Sequence, residues 1–229
     1  HAAAMTRDPV QVLNEIFGYP AFRGRQAEVI DHVLQGGSAL VLMPTGGGKS
    51  LCYQVPALCR SGVALVISPL IALMRDQVEA LRQVGVRAVV YNSTLRSDEK
   101  SQVRAAALSG KLDLLYVAPE TLNTEFFSDF ARRLSLSLIA VDEAHCVSQW
   151  GHDFRPDYLE IAKLRALHPQ VPLLALTATA DPMTREEIRV RLGLDSDPVF
   201  SSSFDRPNIR YEITQRQEAR RQLLDFVRT

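Results

Sequence analysis

Several features are scarce in the 229-residue sequence, and each scarcity excludes a class of protein. The three cysteines, Cys52, Cys59 and Cys146, are odd in number and lack paired short spacing, which excludes a disulfide framework and a four-thiolate zinc site. The most apolar uncharged stretch, Ser61–Met74, is 14 residues long and contains Pro69, so it is too short to span a bilayer. We therefore expect a protein of a reducing, cytoplasmic compartment with no membrane partner.

Charge of either sign is not in excess, because 26 Lys and Arg residues balance 26 Asp and Glu residues. The absence of net charge argues against nucleic-acid binding by the whole protein surface, but it does not exclude a local basic groove. Lysine is the rare cation, since only four of the 26 basic residues are lysines. A lysine within a glycine-rich loop, as at Lys49, therefore stands out.

Short runs rich in β-branched residues alternate with amphipathic stretches. The runs are apolar without alternation, which is typical of parallel strands covered on both faces. This order predicts an α/β fold with a doubly wound, mainly parallel sheet and helices on both faces, whose ligands bind beyond the carboxyl ends of the strands. One predicted helix has an apolar face formed by Leu70, Leu73, Met74, Val78 and Leu81. The predicted strands are Ala39–Met43, Val63–Ser68, Ala88–Tyr91, Asp113–Val117, Leu138–Val141 and Leu173–Thr177.

The sequence organisation predicts one domain and the beginning of another. Residues 1–4 precede Met5 and resemble the remnant of an expression tag. Residues 5–203 form the predicted first domain, at the end of which Ser201–Ser203 is interpreted as a linker. Residues 204–229 are interpreted as a truncated second domain that begins with one β–α unit. The two elements of that unit are a predicted strand, Ile209–Ile213, and a predicted helix, Gln215–Arg228.

A phosphate-binding loop follows the first predicted strand. The segment Pro44–Ser50 contains three successive glycines, which allow backbone N–H groups to surround phosphate oxygens at the start of the next helix. Lys49 would reach the β and γ phosphates, and Ser50 would bind Mg²⁺. Met43 stands where the general pattern has glycine, so a glycine-rich hairpin or a dinucleotide-binding turn is the alternative.

Adjacent acids end the predicted strand Leu138–Val141. An apolar strand that ends in such a pair is typical of the second half of a nucleoside-triphosphate site. Asp142 would hold the Mg²⁺ shell, and Glu143 would polarise the attacking water. His145 is a further candidate, with capping of a helix as the alternative.

These motifs resemble those of superfamily 2 helicases and, more closely, of the RecQ family of DNA helicases. The most specific match precedes the phosphate loop, where the family pattern L-x3-F-G-x3-F-R-x2-Q fits Leu13, Phe17-Gly18, Phe22-Arg23 and Gln26. Glutamine can bond to the N6/N7 edge of adenine, and an aromatic or arginine plane can stack on the base. The resemblance implies that Tyr19 and Arg23 pack on adenine and that Gln26 reads it. The alternative is an amphipathic helix with a solvated glutamine.

Further segments resemble the family's DNA and coupling motifs. Ser68–Gln77 and Ala118–Glu120 each begin where a strand gives way to a helix, which suits contacts to a DNA backbone; ordinary helix initiation at proline is the alternative. Leu176–Ala180 resembles the motif that couples hydrolysis to domain movement. Its hydroxyl groups would bridge the acidic pair to a neighbouring loop, although threonine is also common in strands.

The segment Cys146–Tyr158 resembles the aromatic-rich loop that RecQ helicases carry after the acidic motif. A loop with Trp, Phe and Arg beside a nucleotide site can stack on a single-stranded base and signal its presence to Glu143 and His145. The alternative is that Trp150 and Phe154 fill a hydrophobic core.

The resemblance implies a RecA-like motor lobe of an ATP-dependent 3′-to-5′ DNA helicase that acts on single-stranded and partly duplex DNA with ATP and Mg²⁺. It also implies a second RecA-like lobe as partner, zinc only in a downstream module absent from this chain, and nucleoid association if the source is bacterial. Without the second lobe's arginine finger, weak or no hydrolysis is expected. The alternatives are a nucleotide- or DNA-binding module without activity and an RNA- or chromatin-directed translocase.

The site residues implied by the motifs fall into four groups. The catalytic group comprises Lys49, Asp142, Glu143 and His145. The nucleotide-binding group comprises Tyr19, Arg23, Gln26, Thr45, Gly46, Gly47, Gly48, Lys49 and Ser50. Ser50 and Asp142 are the Mg²⁺ ligands. The DNA-binding and coupling group comprises Ser68, Arg75, Gln149, Trp150, Phe154, Arg155, Thr177 and Thr179.

Overall fold

A computed structural model describes residues 5–44, 48–179 and 181–202, together with Arg221 and Leu223. The predicted strand Ile209–Ile213 lies outside these residues, as do the possible tag at residues 1–4 and the loop residues Thr45, Gly46 and Gly47. Of the predicted helix Gln215–Arg228, only Arg221 and Leu223 are described, and both are helical.

Seven parallel strands form the sheet in the order β3-β4-β2-β5-β6-β1-β7. All six predicted strands are present, with ends shifted by two residues at most, which confirms the predicted α/β class. The strands are β1 (Ala39–Leu42), β2 (Val63–Ile67), β3 (Ala88–Tyr91), β4 (Leu114–Val117), β5 (Leu136–Val141), β6 (Leu173–Thr177) and β7 (Val199–Ser201).

The strand β7 was not predicted, and the interpretation of Ser201 as a linker residue is wrong. Ser201 pairs with Leu42 of β1, and the backbone N–H of Ser202 donates to the carbonyl of Leu42 at 3.1 Å. The strand has only three residues, of which Phe200 alone is buried. A short edge strand with one buried side chain carries little periodicity in its sequence.

Helices cover both faces of the sheet, as the β–α order predicted. They are α1 (Pro9–Glu15), α2 (Gln26–Leu34), α3 (Leu51–Cys59), α4 (Ile71–Gln83), α5 (Ser97–Leu108), α6 (Pro119–Leu122), α7 (Glu125–Arg133), α8 (Ile161–Leu167) and α9 (Pro182–Arg191). Two short 3₁₀ helices, Ala144–Val147 and Pro156–Glu160, follow β5. No helix in the described part of the chain is long and apolar enough to span a membrane.

The predicted apolar face of α4 is only partly correct. Met74, Val78 and Leu81 are buried, whereas Leu70 and Leu73 are 41% and 40% exposed. Leu70 precedes the helix with a non-helical ψ of 86°, and Leu73 lies about 100° around the helix axis from Met74. Both side chains therefore lie beside the buried stripe rather than in it.

The order of the strands brings distant segments together at the carboxyl edge of the sheet. Alternate residues of β1 enter different core clusters on the two faces, Leu40 and Leu42 in one and Ala39 and Val41 in the other. The neighbouring strands β5, β6 and β1 end side by side, so the acidic pair, the Thr177 segment and the phosphate loop meet there. The next strands outward, β2, β4 and β3, place the Ser68 segment beside them.

Candidate nucleotide site and adjoining aromatic loop

Lys49 and Asp142 face each other between the ends of β1 and β5. The Lys49 Nζ lies 3.8 Å from Asp142 Oδ1, and the two side chains are only 12% and 9% exposed. Burial raises the pKa of Asp142, while the charge of Lys49 and a hydrogen bond from the backbone N–H of Glu143 oppose that rise. A cation and a carboxylate are thus held together at the position where the sequence predicted a polyphosphate and its metal.

The start of α3 fits a magnesium–nucleotide complex. The first N–H groups of a helix lack partners within the helix and suit phosphate oxygens. Ser50 is the N-cap residue of α3, but its hydroxyl makes no capping hydrogen bond to the helix backbone. With the carboxylate of Asp142, this hydroxyl supplies the oxygen donors that Mg²⁺ prefers.

Gln26 is buried against the phosphate loop. It is 3% exposed, so the alternative of a solvated glutamine is wrong. Its Oε1 accepts from the backbone N–H of Arg23 at 2.8 Å, and its Nε2 donates to the carbonyl of Gly48 at 3.1 Å. Gly48 has a φ of +79°, which favours glycine, and a Cβ there would displace the side-chain amide of Gln26. The predicted base reader and the phosphate loop are therefore one connected unit.

Tyr19 and Arg23 are exposed on the segment that leads to Gln26. Their apolar neighbours in the pattern turn inward, since Leu13 is fully buried and Phe17 and Phe22 pack against the core. The segment therefore presents one aromatic ring and one guanidinium group to solvent beside the buried Gln26.

Glu143 and His145 form a chain of contacts with Thr177. Glu143 has a φ of +52°, the single positive value among the described residues other than glycine. Its Oε2 lies 3.4 Å from His145 Nε2, and His145 Nδ1 is hydrogen-bonded to Thr177 Oγ1 at 2.8 Å. Left-handed backbone in such a residue costs free energy and is concentrated at functional sites. The ring of His145 therefore links the acid to β6, whereas its backbone carbonyl accepts the Ser148 N–H at the end of the 3₁₀ helix.

Thr177 is buried, and its Oγ1 also accepts from the backbone N–H of Thr179 at 3.2 Å. The Thr177 hydroxyl thus joins His145 to the Thr179 backbone, and a bridge from the acidic pair to a neighbouring loop stays a prediction.

Tyr158 is a contributor that the sequence did not reveal. Its hydroxyl donates to the backbone carbonyl of Asp142 at 2.9 Å, and its ring is fully buried. The bond fixes the peptide between the two acids, next to the strained Glu143. The residue lies at the end of the predicted aromatic loop, but no pattern in the sequence indicated that it points back to the site.

A second cluster near the site contains atoms of the kinds that bind metals. Donor atoms of His145, Cys146 and Asp153 all lie within 4.8 Å of one another. Burial, as the largest cause, raises the pKa of Cys146 to about 12. The Sγ of Cys146 donates to Asp153 Oδ2 at 3.6 Å, so the thiol and the carboxylate of this cluster are already hydrogen-bonded to each other.

The aromatic loop is exposed at its tip and buried at its base. Trp150 is 47% exposed and Gln149 is exposed, whereas Phe154 is half-buried, so the core-filling alternative is wrong for Trp150. Arg155 is half-buried, and its Nη2 lies 3.5 Å from Asp153 Oδ1. The ring that fills the core is Tyr158.

The segment at the end of β2 contains one buried and one exposed candidate for DNA contact. Ser68 is 3% exposed, and its Oγ accepts from the backbone N–H of Leu70 at 3.3 Å, in the turn that precedes α4. Arg75 is exposed, and its Nη2 donates to Thr94 Oγ1 at 3.4 Å. Of the two, Arg75 is available to a partner.

A buried polar network, also missed from the sequence, joins α3 to α4. The Oε1 of Gln77 accepts from the hydroxyl groups of Tyr53 and Tyr116, at 2.9 and 3.0 Å. Gln54 Nε2 donates to the same Tyr116 hydroxyl at 3.1 Å. The helix after the phosphate loop is thereby connected to the helix that carries Arg75.

Comparison with known proteins agrees with these features. Residues 23–188 match the DEAD/DEAH box helicase family. The chain is 48% identical over 227 residues to ATP-dependent DNA helicase RecQ of Pasteurella multocida, covering 99% of this chain and 36% of that protein. It is 49% identical over 218 residues to the RecQ of Haemophilus influenzae, covering 95% and 35%. The chain thus spans about a third of the length of these relatives.

Solved structures show the same fold at low identity. The helicase domain of Pyrococcus furiosus Hef has a TM-score of 0.60 and 23% identity, covering 82% of this chain and 39% of that one. The helicase MrfA bound to DNA and AMPPNP has a TM-score of 0.66 and 20% identity, covering 88% and 30%. The family match and the identity to RecQ proteins confirm the resemblance found in the motifs. The chain belongs to the DEAD/DEAH box helicase family and corresponds to the motor domain of RecQ ATP-dependent DNA helicases.

Proposed function

We propose that this chain is the nucleotide-binding lobe of a 3′-to-5′ DNA helicase, in which Mg²⁺-dependent ATP hydrolysis drives movement along a single strand. The observation that carries the proposal is the pairing of Lys49 with Asp142 beside the chain of contacts from Glu143 through His145 to Thr177. The 3′-to-5′ direction rests on the likeness to RecQ proteins.

The nucleotide is held from both ends. Gln26 would exchange its contacts with Arg23 and Gly48 for the adenine edge, and Tyr19 and Arg23 supply surfaces for stacking. Lys49 would exchange its contact with Asp142 for phosphate oxygens, and the carboxylate of Asp142 and the hydroxyl of Ser50 would hold Mg²⁺. When bound, the ion neutralises charge on the phosphates. Thr45, Gly46 and Gly47 complete the loop in this proposal.

Glu143 accepts the proton of the attacking water. Its backbone strain and its contact with His145 fix the carboxylate in direction, and Tyr158 holds the adjoining peptide. His145 in turn reports the state of Glu143 to Thr177 and Thr179. These contacts give the site a route to the segment that would couple hydrolysis to the movement of a second lobe.

The DNA strand runs along the carboxyl edge from Arg75 to Trp150 in this proposal. Arg75 contacts phosphate, Trp150 stacks on a base, and Gln149, Phe154 and Arg155 complete the loop surface. Ser68 acts indirectly, since its hydroxyl shapes the start of α4. Single-stranded and partly duplex DNA are the proposed partners, together with a second RecA-like lobe that supplies an arginine finger.

Calorimetric titration of the chain with a non-hydrolysable ATP analogue and Mg²⁺ tests the proposal. The wild type is expected to release heat, and Lys49→Ala to weaken binding at least about tenfold because a buried charge-assisted contact is lost. Lys163→Ala is the matched control, since that lysine is exposed and contacts Glu160 only at the surface. Absence of heat from the wild type at saturation would contradict the proposal.

A binding module without activity is the second candidate, because hydrolysis in related enzymes needs an arginine from elsewhere that is worth about 10³ to 10⁵ in rate. Comparing DNA-stimulated ATP turnover of this chain with that of a longer chain that includes a second lobe separates the two. Stimulation in the longer chain alone assigns binding to this lobe and hydrolysis to the pair.

A further inference from the structure

Helix α9 carries a fully buried carboxylate that neither nucleotide nor DNA contact explains. Glu187 is 0% exposed, although it lies in a helix rich in charge. Burying a carboxylate is unfavourable unless hydrogen bonds or opposite charges compensate for the lost water. The Nε of Arg191 lies 3.5 Å from Glu187 Oε1, but the remaining partners come from a different part of the chain.

Those partners are the residues at the base of the aromatic loop. The hydroxyl of Ser148 donates to Glu187 Oε2 at 2.5 Å, and the backbone N–H of Gln149 donates to Oε1 at 3.0 Å. The backbone N–H of Trp150 lies 3.4 Å from Oε2 and 3.1 Å from Ser148 Oγ. One carboxylate therefore binds three consecutive residues, the last of which is the exposed tryptophan.

The contacts of Glu187 form a second connection between the aromatic loop and the Thr177 segment. The 3₁₀ helix Ala144–Val147 contains His145, which is bonded to Thr177, and it leads directly into Ser148. From Thr177 the chain continues through Thr179 into α9, which carries Glu187 back to the loop. The loop is thus connected to the Thr177 segment both through His145 and through α9.

We propose that Glu187 is a positioning residue that anchors the aromatic loop and couples DNA occupancy at Trp150 to α9 and the Thr177 segment. The inference rests on the proposed function of the loop as the DNA contact, whereas the anchoring of the loop rests on the hydrogen bonds to Glu187. Glu187 acts through Ser148, Gln149 and Trp150 and does not touch nucleotide. Its carboxylate fixes the backbone from which the indole ring projects.

The anchor is tested first without DNA. Glu187→Ala and Ser148→Ala are expected to raise the hydrogen-exchange rates of the Gln149 and Trp150 amides by about tenfold or more, because each amide loses an acceptor or a fixed neighbour. Trp150 is the only tryptophan, so its emission reports the loop directly. Glu187→Asp, which retains a carboxylate, is expected to restore part of the protection.

Glu186→Gln is the matched control. Glu186 is a buried acid on the same helix and pairs with Arg189 rather than with the loop. It is expected to leave the two amides and the Trp150 emission unchanged. Equal exchange of both amides in the wild type and Glu187→Ala would overturn the inference. If Glu187→Ala does not fold, amide exchange in Ser148→Ala tests the anchor instead, since that variant removes one hydroxyl oxygen and leaves the carboxylate of Glu187 in place.

The coupling is tested in a longer chain that includes a second lobe. Glu187→Ala is expected to raise the DNA concentration for half-maximal ATPase stimulation by about tenfold while leaving DNA-independent turnover unchanged, since the contacts that it removes lie at the loop and within α9 and not at the nucleotide site. An equal loss of DNA-stimulated and DNA-independent ATP turnover would show that Glu187 has a structural role only, which would contradict the inference. A wild type without DNA stimulation would instead contradict the proposed function, and amide exchange would still test the anchor.

Discussion

Two regions that follow the same strand, β5, are stabilised in opposite ways. In the nucleotide site, from Asp142 to His145, side chains contact one another and are largely buried. In the aromatic loop, from Gln149 to Arg155, the side chains reach solvent, and a distant carboxylate holds the backbone. The site therefore depends on the identity of its own residues, whereas the loop depends on a residue 37 positions after Trp150.

The difference agrees with the role proposed for each region. A nucleotide site must hold charges in fixed positions, which a dry and low-dielectric environment strengthens. A loop that stacks on bases must leave its rings in water until DNA arrives. The second arrangement requires an anchor outside the loop, because exposed side chains provide little rigidity themselves.

The largest expected effect is in the nucleotide site. Glu143→Gln is expected to lower ATP turnover of the longer chain by about 10² to 10⁴ because the amide cannot accept the proton of water. Binding of the ATP analogue should persist, since Lys49 and Asp142 remain. The measurement is steady-state hydrolysis together with calorimetry. Glu160→Gln, which alters only a surface pair with Lys163, is the control, and retained turnover in Glu143→Gln would break the comparison.

An intermediate effect is expected at the loop tip. Trp150→Ala should weaken binding of single-stranded DNA by about 1 to 3 kcal/mol, the usual contribution of stacking on one base. The free energy of unfolding should change by less than about 0.5 kcal/mol because the ring is half exposed.

Fluorescence anisotropy of a labelled strand measures that affinity, and denaturant titration measures stability. Trp150→Phe retains a ring and is expected to bind nearly as well as the wild type. A large loss of stability in Trp150→Ala would show that the loop is packed like the nucleotide site, contrary to the comparison.

The smallest expected effect concerns Tyr158, which connects the two regions. Tyr158→Phe removes the hydrogen bond to the Asp142 carbonyl and should lower the free energy of unfolding by about 1 kcal/mol. Turnover should also fall, because the peptide beside Glu143 is no longer fixed. Tyr91→Phe removes a similar bond, from Arg104, at the edge strand β3 and is expected to affect stability alone. Equal ATP turnover in Tyr158→Phe and Tyr91→Phe would show that the Tyr158 hydrogen bond does not contribute to the nucleotide site.

Much of the fold was predictable because the central strands are apolar on both faces and their helices follow in regular alternation. The missed strand β7 is short, and only one of its side chains is buried, so it leaves no periodic signal. The error at Leu70 and Leu73 arose because an apolar residue near a helix start need not lie on the buried stripe.

The motif residues of the nucleotide site were predictable because their chemistry restricts them to a few types at fixed spacings. Lys49, Ser50, Asp142 and Glu143 lie together as expected, although their roles stay predictions. Tyr158, Gln77 and Glu187 were not predictable, because tyrosine, glutamine and glutamate occur equally well on a surface.

The sequence by itself determined the class of the protein and the motif residues that meet at the carboxyl edge of the sheet, since local spacing and strand-to-helix turns encode both. The tertiary structure alone decided which polar groups hold those residues in place. Such partners lie far apart in the chain, as Ser148 and Glu187 do, and only the packing of α9 against the 3₁₀ helix Ala144–Val147 brings the hydroxyl to the carboxylate. A buried hydrogen bond depends on that geometry and leaves no spacing rule in the sequence.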